Sequence, residues 1–253
     1  MFKIETHLHT SHVSSCGWLE APVLAEGCAR AGYAALAVTD HYNRDTFAYL
    51  HMDTAASGAA VTDAFLEGFR RMEAACAPLG LKVYKGAELR FDECSNDYLL
   101  YNYPDELLAC PEELFRMGIA AFAPLAREAQ AIQCACGKRL LAGLTEEEQA
   151  VFLDLLERAL LVQAHPYRKK CTPAIACYLD GVEVMNCNPR HENRNGRAEE
   201  YAALHGLLRT GGSDCHRAED IGLGGILAPV LPEDDGALVR LLREGGYTVI
   251  GES

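Results

Sequence analysis

Two kinds of apolar pattern alternate along the chain. Short continuous runs at residues 2–6, 34–39, 82–87, 98–101, 160–164, 182–185 and, shortest of all, 210–213 are too brief for stable helices and read as buried strands. Between most of them the apolar residues recur at helical spacing. The clearest case is 62–79, where Phe65, Phe69, Met72, Cys76 and Leu79 form one stripe and Gly80 supplies the stop. Thr145 and Glu148 have the spacing of a capping box ahead of Val151, Leu155 and Ala159. Pro22 suits the first turn of a helix over 21–31, and Asn195 is placed to cap one carrying Tyr201, Leu204 and Leu208.

Strands alternating with helices, with no Ser/Gly/Pro-rich linker between them, predict a single α/β domain over residues 1–253 built on a parallel sheet. At this length a closed barrel is the leading architecture. The Ala-rich stretch 104–143 shows helical spacing and no strand, so an inserted helical layer or lid is expected there. No internal repeat is present.

Composition narrows the function. Apolar residues make up 49% of the chain, enough for a full core. Lys and Arg number 23 against 36 Asp and Glu, a formal charge of −13, which is the wrong sign for a broad nucleic-acid surface. The same charge repels an anionic membrane. It repels a phosphorylated ligand too, unless bound cations and local arginines reverse the field in one cleft. The 11 cysteines are odd in number and lack the paired C-x-x-C spacing of a structural zinc module, which fits a reduced, cytoplasmic chain. No secretory leader and no apolar run of membrane-spanning length is present, so a soluble protein is expected. The oligomeric state is not encoded in any pattern.

The chemistry gathers directly after the strands. His7 and His9 follow the first, Asp40 and His41 the second, Glu88 the third, His165 the fifth, Asn186 the sixth, and Asp214 with His216 the seventh. A parallel barrel collects the C-terminal ends of its strands around one mouth, so these groups are expected to converge. His7-x-His9 at a strand end puts two imidazoles on one side, because side chains alternate with period two. Nitrogen and carboxylate ligands of this kind suit Zn, Mn or Fe, and a shared carboxylate can join neighbouring cations. Cys215, between two candidate ligands, is expected to point away from them. His51 and His205 have no comparable setting and read as ordinary helix or loop residues.

The strings His7-Leu8-His9-Thr10, Thr39-Asp40-His41, Gly86-Ala87-Glu88, Ala164-His165-Pro166 and Gly212-Ser213-Asp214-Cys215-His216 resemble, in order, the successive motifs of the PHP (polymerase and histidinol phosphatase) superfamily. The resemblance spans residues 7 to 216 and is closest to the histidinol-phosphatase branch. It implies a distorted (β/α)7 TIM-like barrel with two to three divalent metal ions at its mouth. It also implies that His7, His9, Glu88 and Asp214 bind the first metal, that Glu88 bridges to a second held by His165, and that His41 and His216 serve a third. Two positions depart from the family pattern. Asp97 stands nearest to the usual fourth-strand histidine, and in the loop after the first motif Cys16 and His12 compete for a ligand role.

The loop after the sixth strand holds Arg190, Arg194 and Arg197, and Arg168 follows His165-Pro166. Guanidinium forks match phosphate oxygens, so Arg168 and Arg190 are the first candidates for a phosphate clamp, with Arg194, Arg197 and Asn186 beside them. The expected function is a metal-dependent phosphoesterase acting on a small phosphorylated metabolite, a phosphate monoester of the histidinol-phosphate type. A metal-bridging hydroxide would be the nucleophile, and Glu88, Asp214 and His216 the catalytic residues. The alternatives are a phosphodiesterase acting on a cyclic or sugar phosphodiester and, from another class, a non-catalytic PHP module.

Overall fold

All seven apolar runs form strands in the computed structural model, which describes residues 1–125 and 144–251. They are β1 (Phe2–Leu8), β2 (Tyr33–Val38), β4 (Lys82–Arg90), β5 (Asp97–Tyr101), β6 (Leu160–Gln163), β7 (Gly181–Asn186) and β8 (Leu208–Gly212). Three short strands were not foreseen: β3 (His41–Tyr42), β9 (Ile226–Ala228) and β10 (Thr248–Val249). Two or three residues are too few to establish a period, so nothing local marks them.

One mixed sheet contains all of these strands, in the order β10-β9-β1-β2-β4-β5-β6-β7-β8, with β3 paired to β4. It curls into a nearly closed barrel. It closes where β8 returns beside β1: Thr6 Oγ1 donates to the Gly211 carbonyl at 2.7 Å, and beyond the strand ends the His9 amide donates to the Cys215 carbonyl at 3.0 Å. Glycine is needed at this seam, because a Cβ on Gly212 would collide with the His7 Cβ.

The expectation of an all-parallel sheet needs correcting. β5 runs antiparallel to both β4 and β6, and β9 is antiparallel to β1 and β10. The connection over residues 91–96 is shorter than the roughly dozen residues that a parallel crossover requires, so β4 and β5 form a hairpin. That hairpin sets Arg90 opposite Asp97.

The helices cover the outside. α1 (Ala21–Arg30) has Pro22 in its first turn, α2 (Arg44–Tyr49) is capped by Asn43, and α3 (Ala59–Cys76) runs into a 3-10 turn (Ala77–Leu79) that Gly80 ends at φ +70°. A 3-10 helix (Asp105–Ala109), α4 (Pro111–Met117) and α5 (Ile119–Leu125) make up the described part of the expected helical insertion; the rest of 104–143, residues 126–143, lies outside the described residues. Leu107, Leu108, Leu114, Phe115 and Phe122 from this part are buried in the main core.

α6 (Glu146–Glu157) opens with the expected capping box: the Glu148 amide donates to Thr145 Oγ1 at 3.2 Å and the Thr145 amide to Glu148 Oε2 at 2.7 Å. In α7 (Asn195–His205) Asn195 is the first helical residue and not the cap; Arg194 holds the N-cap position without a side-chain capping bond, and Leu208 belongs to β8, so the predicted stripe is shorter than expected. α8 (Asp235–Glu244) closes the chain's helical layer. A second apolar cluster, including Leu8, Leu24, Leu36, Met72, Cys76 and Cys215, seals β1 and β2 under α1 and α3, so Cys215 does face away from its polar neighbours. No helix among the described residues is long and apolar enough to cross a membrane.

Candidate metal centre

Alternation along β1 aims Glu5, His7 and then His9 into the barrel, all of them buried. The seam described above brings Asp214 and His216 beside them. β3 lies in register with β4 so that His41 is opposite Glu88, and β6 delivers His165 from the other side.

These residues close on Glu88. Its Oε2 lies 2.7 Å from His41 Nδ1 and 3.3 Å from His9 Nε2; its Oε1 lies 3.2 Å from His165 Nε2 and 3.5 Å from His7 Nε2. Asp214 Oδ1 completes the ring at 3.3 Å from His9 Nε2 and 3.5 Å from His7 Nε2.

Proximity here is not hydrogen bonding. His7 Nε2, His9 Nε2, His41 Nδ1 and both Glu88 oxygens are buried and make no hydrogen bond among the described residues. A buried polar atom without a partner costs about 1–3 kcal/mol, and more when charged, and five such atoms converge on one volume. Lone pairs aimed at a common point rather than at one another are the arrangement a cation needs. The donors also group by distance: His7, His9 and Asp214; His41, Glu88 and Asp97; and His9, His41 and His216. Imidazole with carboxylate fits Zn, Mn or Fe, so the residues fit the divalent ions that the sequence leads one to expect.

The electrostatics ask for the same charge. Burial alone would lower the His7 pKa, but Glu183, Asp214 and Glu88 raise it well above the usual histidine value. Burial would push Glu88 and Asp214 up; the surrounding imidazoles, with Arg168 beside Asp214, hold both well below the carboxylate range. His9 goes the other way, lowered by burial and by His41 and His216. The cavity is built for positive charge, supplied by protons or by metal ions.

An outer set of groups orients the inner one. Glu183 Oε1 lies 2.9 Å from His7 Nδ1, and its Oε2 accepts from the His165 amide and from Asn186 Nδ2. Ser14 Oγ lies 3.4 Å from His9 Nδ1 and donates to Asp40 at 2.7 Å. Asp40, whose carboxyl burial pushes up to about 6, also accepts from Thr10. His165 and Asp214 hold φ of 28° and 50°, the left-handed region, a strain that non-glycine residues tolerate where the surroundings over-determine them.

The structure separates the candidates that sequence left together. Cys16 Sγ lies 3.1 Å from His216 Nε2, whereas His12 sits among Glu20, Glu67 and Arg71, away from the ring. Asp97 reaches the edge of the site, 3.9 Å from His165 Nε2, while receiving Arg90 through both oxygens at 2.7 Å. Arg168 lies inside, donating to Asp214 Oδ2 at 2.6 Å, Asn186 Oδ1 at 2.9 Å and Asn193 Oδ1 at 2.9 Å.

The other arginines have different partners from those expected of a clamp. Arg190 holds Asp220 through both terminal nitrogens, Arg194 pairs with Glu192 at the surface, and Arg197 stacks on the Tyr167 ring. Asn186 uses its side chain to brace Glu183, Asp214, Arg168 and the Asn188 amide.

Sequence reasoning missed Glu5, Glu183 and Asp220. Glu5 accepts from the amides of Thr6, His7 and Ser213 and from the hydroxyls of Ser213 and Tyr33. It was visible as the third member of a Glu5-x-His7-x-His9 alternation. Glu183 was a charged residue inside an apolar strand run, and that was its signal. Asp220 carried none.

The PHP domain model matches residues 5–186 and the PHP-associated model residues 192–246. No curated protein matches the chain. Among solved structures, PsfC from Pseudomonas syringae superposes with a TM-score of 0.56 at 17% identity, over 94% of this chain and 87% of that one. A Bacteroides vulgatus two-domain protein containing a "predicted PHP-like metal-dependent phosphoesterase" gives 0.56 at 13%, over 98% and 64%. An amidohydrolase from Chromobacterium violaceum with bound sulfate and no metal gives 0.51 at 18%, over 87% and 90%. With the family model covering β1 to β7 and every group of the ring except Asp214 and His216, the chain belongs to the PHP domain family.

Proposed function

We propose that this chain is a metal-dependent phosphoesterase that hydrolyses a phosphate monoester of a small metabolite. One observation carries the reading: the five buried, unpartnered atoms of His7, His9, His41 and Glu88 that face one another at the barrel mouth. The family resemblance suggests three positions, and the contacts described above are compatible with them: His7, His9, Glu88 and Asp214 would hold one ion, Glu88, His165 and Asp97 a second, and His41, His216 and Cys16 a third. Ions bound there would act as Lewis acids on the phosphoryl oxygens and make water nucleophilic at neutral pH.

The chain supplies the rest. Arg168 is fixed by Asp214, Asn186 and Asn193 through Nε and Nη2, and its Nη1 makes no hydrogen bond among the described residues, so it is directed to a phosphate oxygen. Asp214 accepts from Arg168 on one oxygen and faces His7 and His9 with the other, which sets the substrate's phosphorus against the ring. His191 is exposed and within electrostatic reach of Arg168, Asp214 and His165; partial burial and Arg168 lower its pKa, so it faces the site as a neutral imidazole. The buried ring leaves no room for the leaving group, which must extend outward over the rim.

The test measures metal content after purification without chelator, and phosphate release from a panel of phosphorylated amino alcohols, sugars, nucleotides and cyclic diesters. Release that chelation abolishes and Mn or Zn restores is the expected result, with Glu88→Gln retaining less than about a tenth of wild-type kcat, a loss above ~1.4 kcal/mol. Release that survives chelation, or no release from any ester by the metal-loaded protein, would overturn the reading. Turnover confined to the cyclic diesters would replace the monoester by a diester.

A further inference from the structure

We infer that Trp18 and Arg217 form a stacking shelf on the rim of the metal centre, and that it selects substrates whose leaving group carries a planar aromatic base, as in a nucleoside monophosphate. This rests on the phosphoesterase reading above and names its substrate class.

Trp18 is the chain's single tryptophan, and 65% of it is exposed. A large aromatic ring contributes most to folding when buried, so an exposed one on a rigid loop points to a ligand. The loop is rigid. The Ser14 amide donates to the Thr10 carbonyl at 3.1 Å, Gly17 to Ser14 at 2.9 Å, Ser11 to Leu19 at 3.1 Å and Trp18 to His216 at 2.9 Å. A Cβ on Gly17 would lie 2.7 Å from the Thr10 carbonyl oxygen, so the segment is packed against its own start. The indole is therefore held out by design of the backbone, which lowers the ordering cost of binding.

The second half of the shelf comes from the opposite side of the barrel seam. The Arg217 guanidinium carbon lies 3.9 Å from the Trp18 ring centroid. Its backbone is fixed as well, because Asp220 Oδ2 accepts from the amides of both His216 and Arg217 at 2.9 Å while Arg190 grips the same carboxylate. Arg190 thus acts on the rim through Asp220. A guanidinium stacked on an indole makes a flat cationic and aromatic surface, on which any base can stack without hydrogen-bond readout.

Trp18 lies two residues after Cys16, whose sulfur is 3.1 Å from His216 Nε2, and Arg217 directly follows His216. The ring behind them is filled: His7, His9, Glu88 and Asp214 are no more than 1% exposed. A phosphoryl group seated there projects its leaving group outward, and on the Cys16 and His216 side it meets this rim. In a chain of net charge −13, an aromatic shelf also recognises a nucleotide by its uncharged part, where the global field does not oppose binding.

The experiment uses the metal-loaded protein and its only indole as the probe. Adenosine 5′-monophosphate and adenosine should each quench Trp18 fluorescence saturably, and ribose 5-phosphate should not. The kcat/KM for adenosine 5′-monophosphate should exceed that for ribose 5-phosphate, and Trp18→Ala should cut that ratio roughly fivefold to a hundredfold, the range for loss of one stacked base. Trp18→Phe should restore most of it. A ratio unchanged in Trp18→Ala overturns the shelf, as does a changed association state with no change in ratio, which would make Trp18 a protein contact. Equal turnover of both esters without quenching removes the shelf and leaves the phosphoesterase reading intact. Quenching by adenosine with no phosphate release from any ester keeps the shelf and removes that reading.

Discussion

Glu183 Oε1 lies 2.9 Å from His7 Nδ1, with both side chains fully buried. The contact dictates that His7 turns Nε2 toward Glu88 and Asp214, and it makes that nitrogen a stronger ligand by drawing on the proton at Nδ1. The same carboxylate accepts from the His165 amide, so one residue aligns imidazoles that arrive on β1 and after β6.

Replacing Glu183 by Gln is therefore expected to weaken cation binding roughly 10–100-fold while the barrel stays folded. Competition with a chromogenic chelator measures this directly. Wild-type affinity in a folded Glu183→Gln would show that His7 is oriented without it.

Arg168 and Arg190 are expected to fail differently. Arg168→Ala removes a charge-assisted donor at the phosphate and should lower kcat/KM by roughly 1.5–3 kcal/mol, tenfold or more, with metal content unchanged. Arg190→Ala instead strips a partner from Asp220, which is held below the usual carboxylate range against its burial by Arg190 and two backbone amides. It should lower Tm and disturb the His216 turn. Parallel kinetics and thermal melts separate the two, and a purely kinetic Arg190→Ala would return that residue to the clamp.

Cys16 is expected to behave as a thiolate near neutral pH. Burial would raise its pKa, but hydrogen bonds to His216 and His41 bring it down to about 6. Alkylation of Cys16 in metal-free protein should then be half-maximal near that pH, against ~8.5 for an ordinary cysteine, and the rate should rise with pH because the thiolate is the nucleophile. Loading with Co(II) should protect the residue and produce a sulfur-to-cobalt charge-transfer band that Cys16→Ser abolishes. A protected residue without the band would mean that His41 and His216 bind the ion and the sulfur only neighbours it.

Asp97 gives both oxygens to Arg90, and Oδ2 also lies 3.9 Å from His165 Nε2 at the edge of the site. If it holds the second ion, Asp97→Ala loses one metal equivalent while the His7, His9 and Asp214 position stays filled. Unchanged stoichiometry with a lowered Tm would assign Asp97 to the β4–β5 hairpin, as the partner of Arg90. Elemental analysis beside a melt decides between these outcomes.

The sequence by itself determined where the seven main strands run, because a buried strand is apolar over most of its short length. It determined the polar residues at their ends as well. Strand ends in a barrel share one mouth, so local position was enough to assemble His7, His9, His41, Glu88, His165, Asp214 and His216 without knowing any distance.

Only the tertiary structure decided who pairs with whom. Periodicity reports which face a side chain uses, never which strand lies beside it, so the reversed β5 and the short β3, β9 and β10 were invisible. The four arginines looked alike in sequence, and their partners separated them: Asp214 for Arg168, Asp220 for Arg190, Glu192 for Arg194 and the Tyr167 ring for Arg197. Cys16 and His12, four residues apart, parted for the same reason. A charge acts over a few ångströms, and those ångströms are set by contacts between residues far apart in the chain.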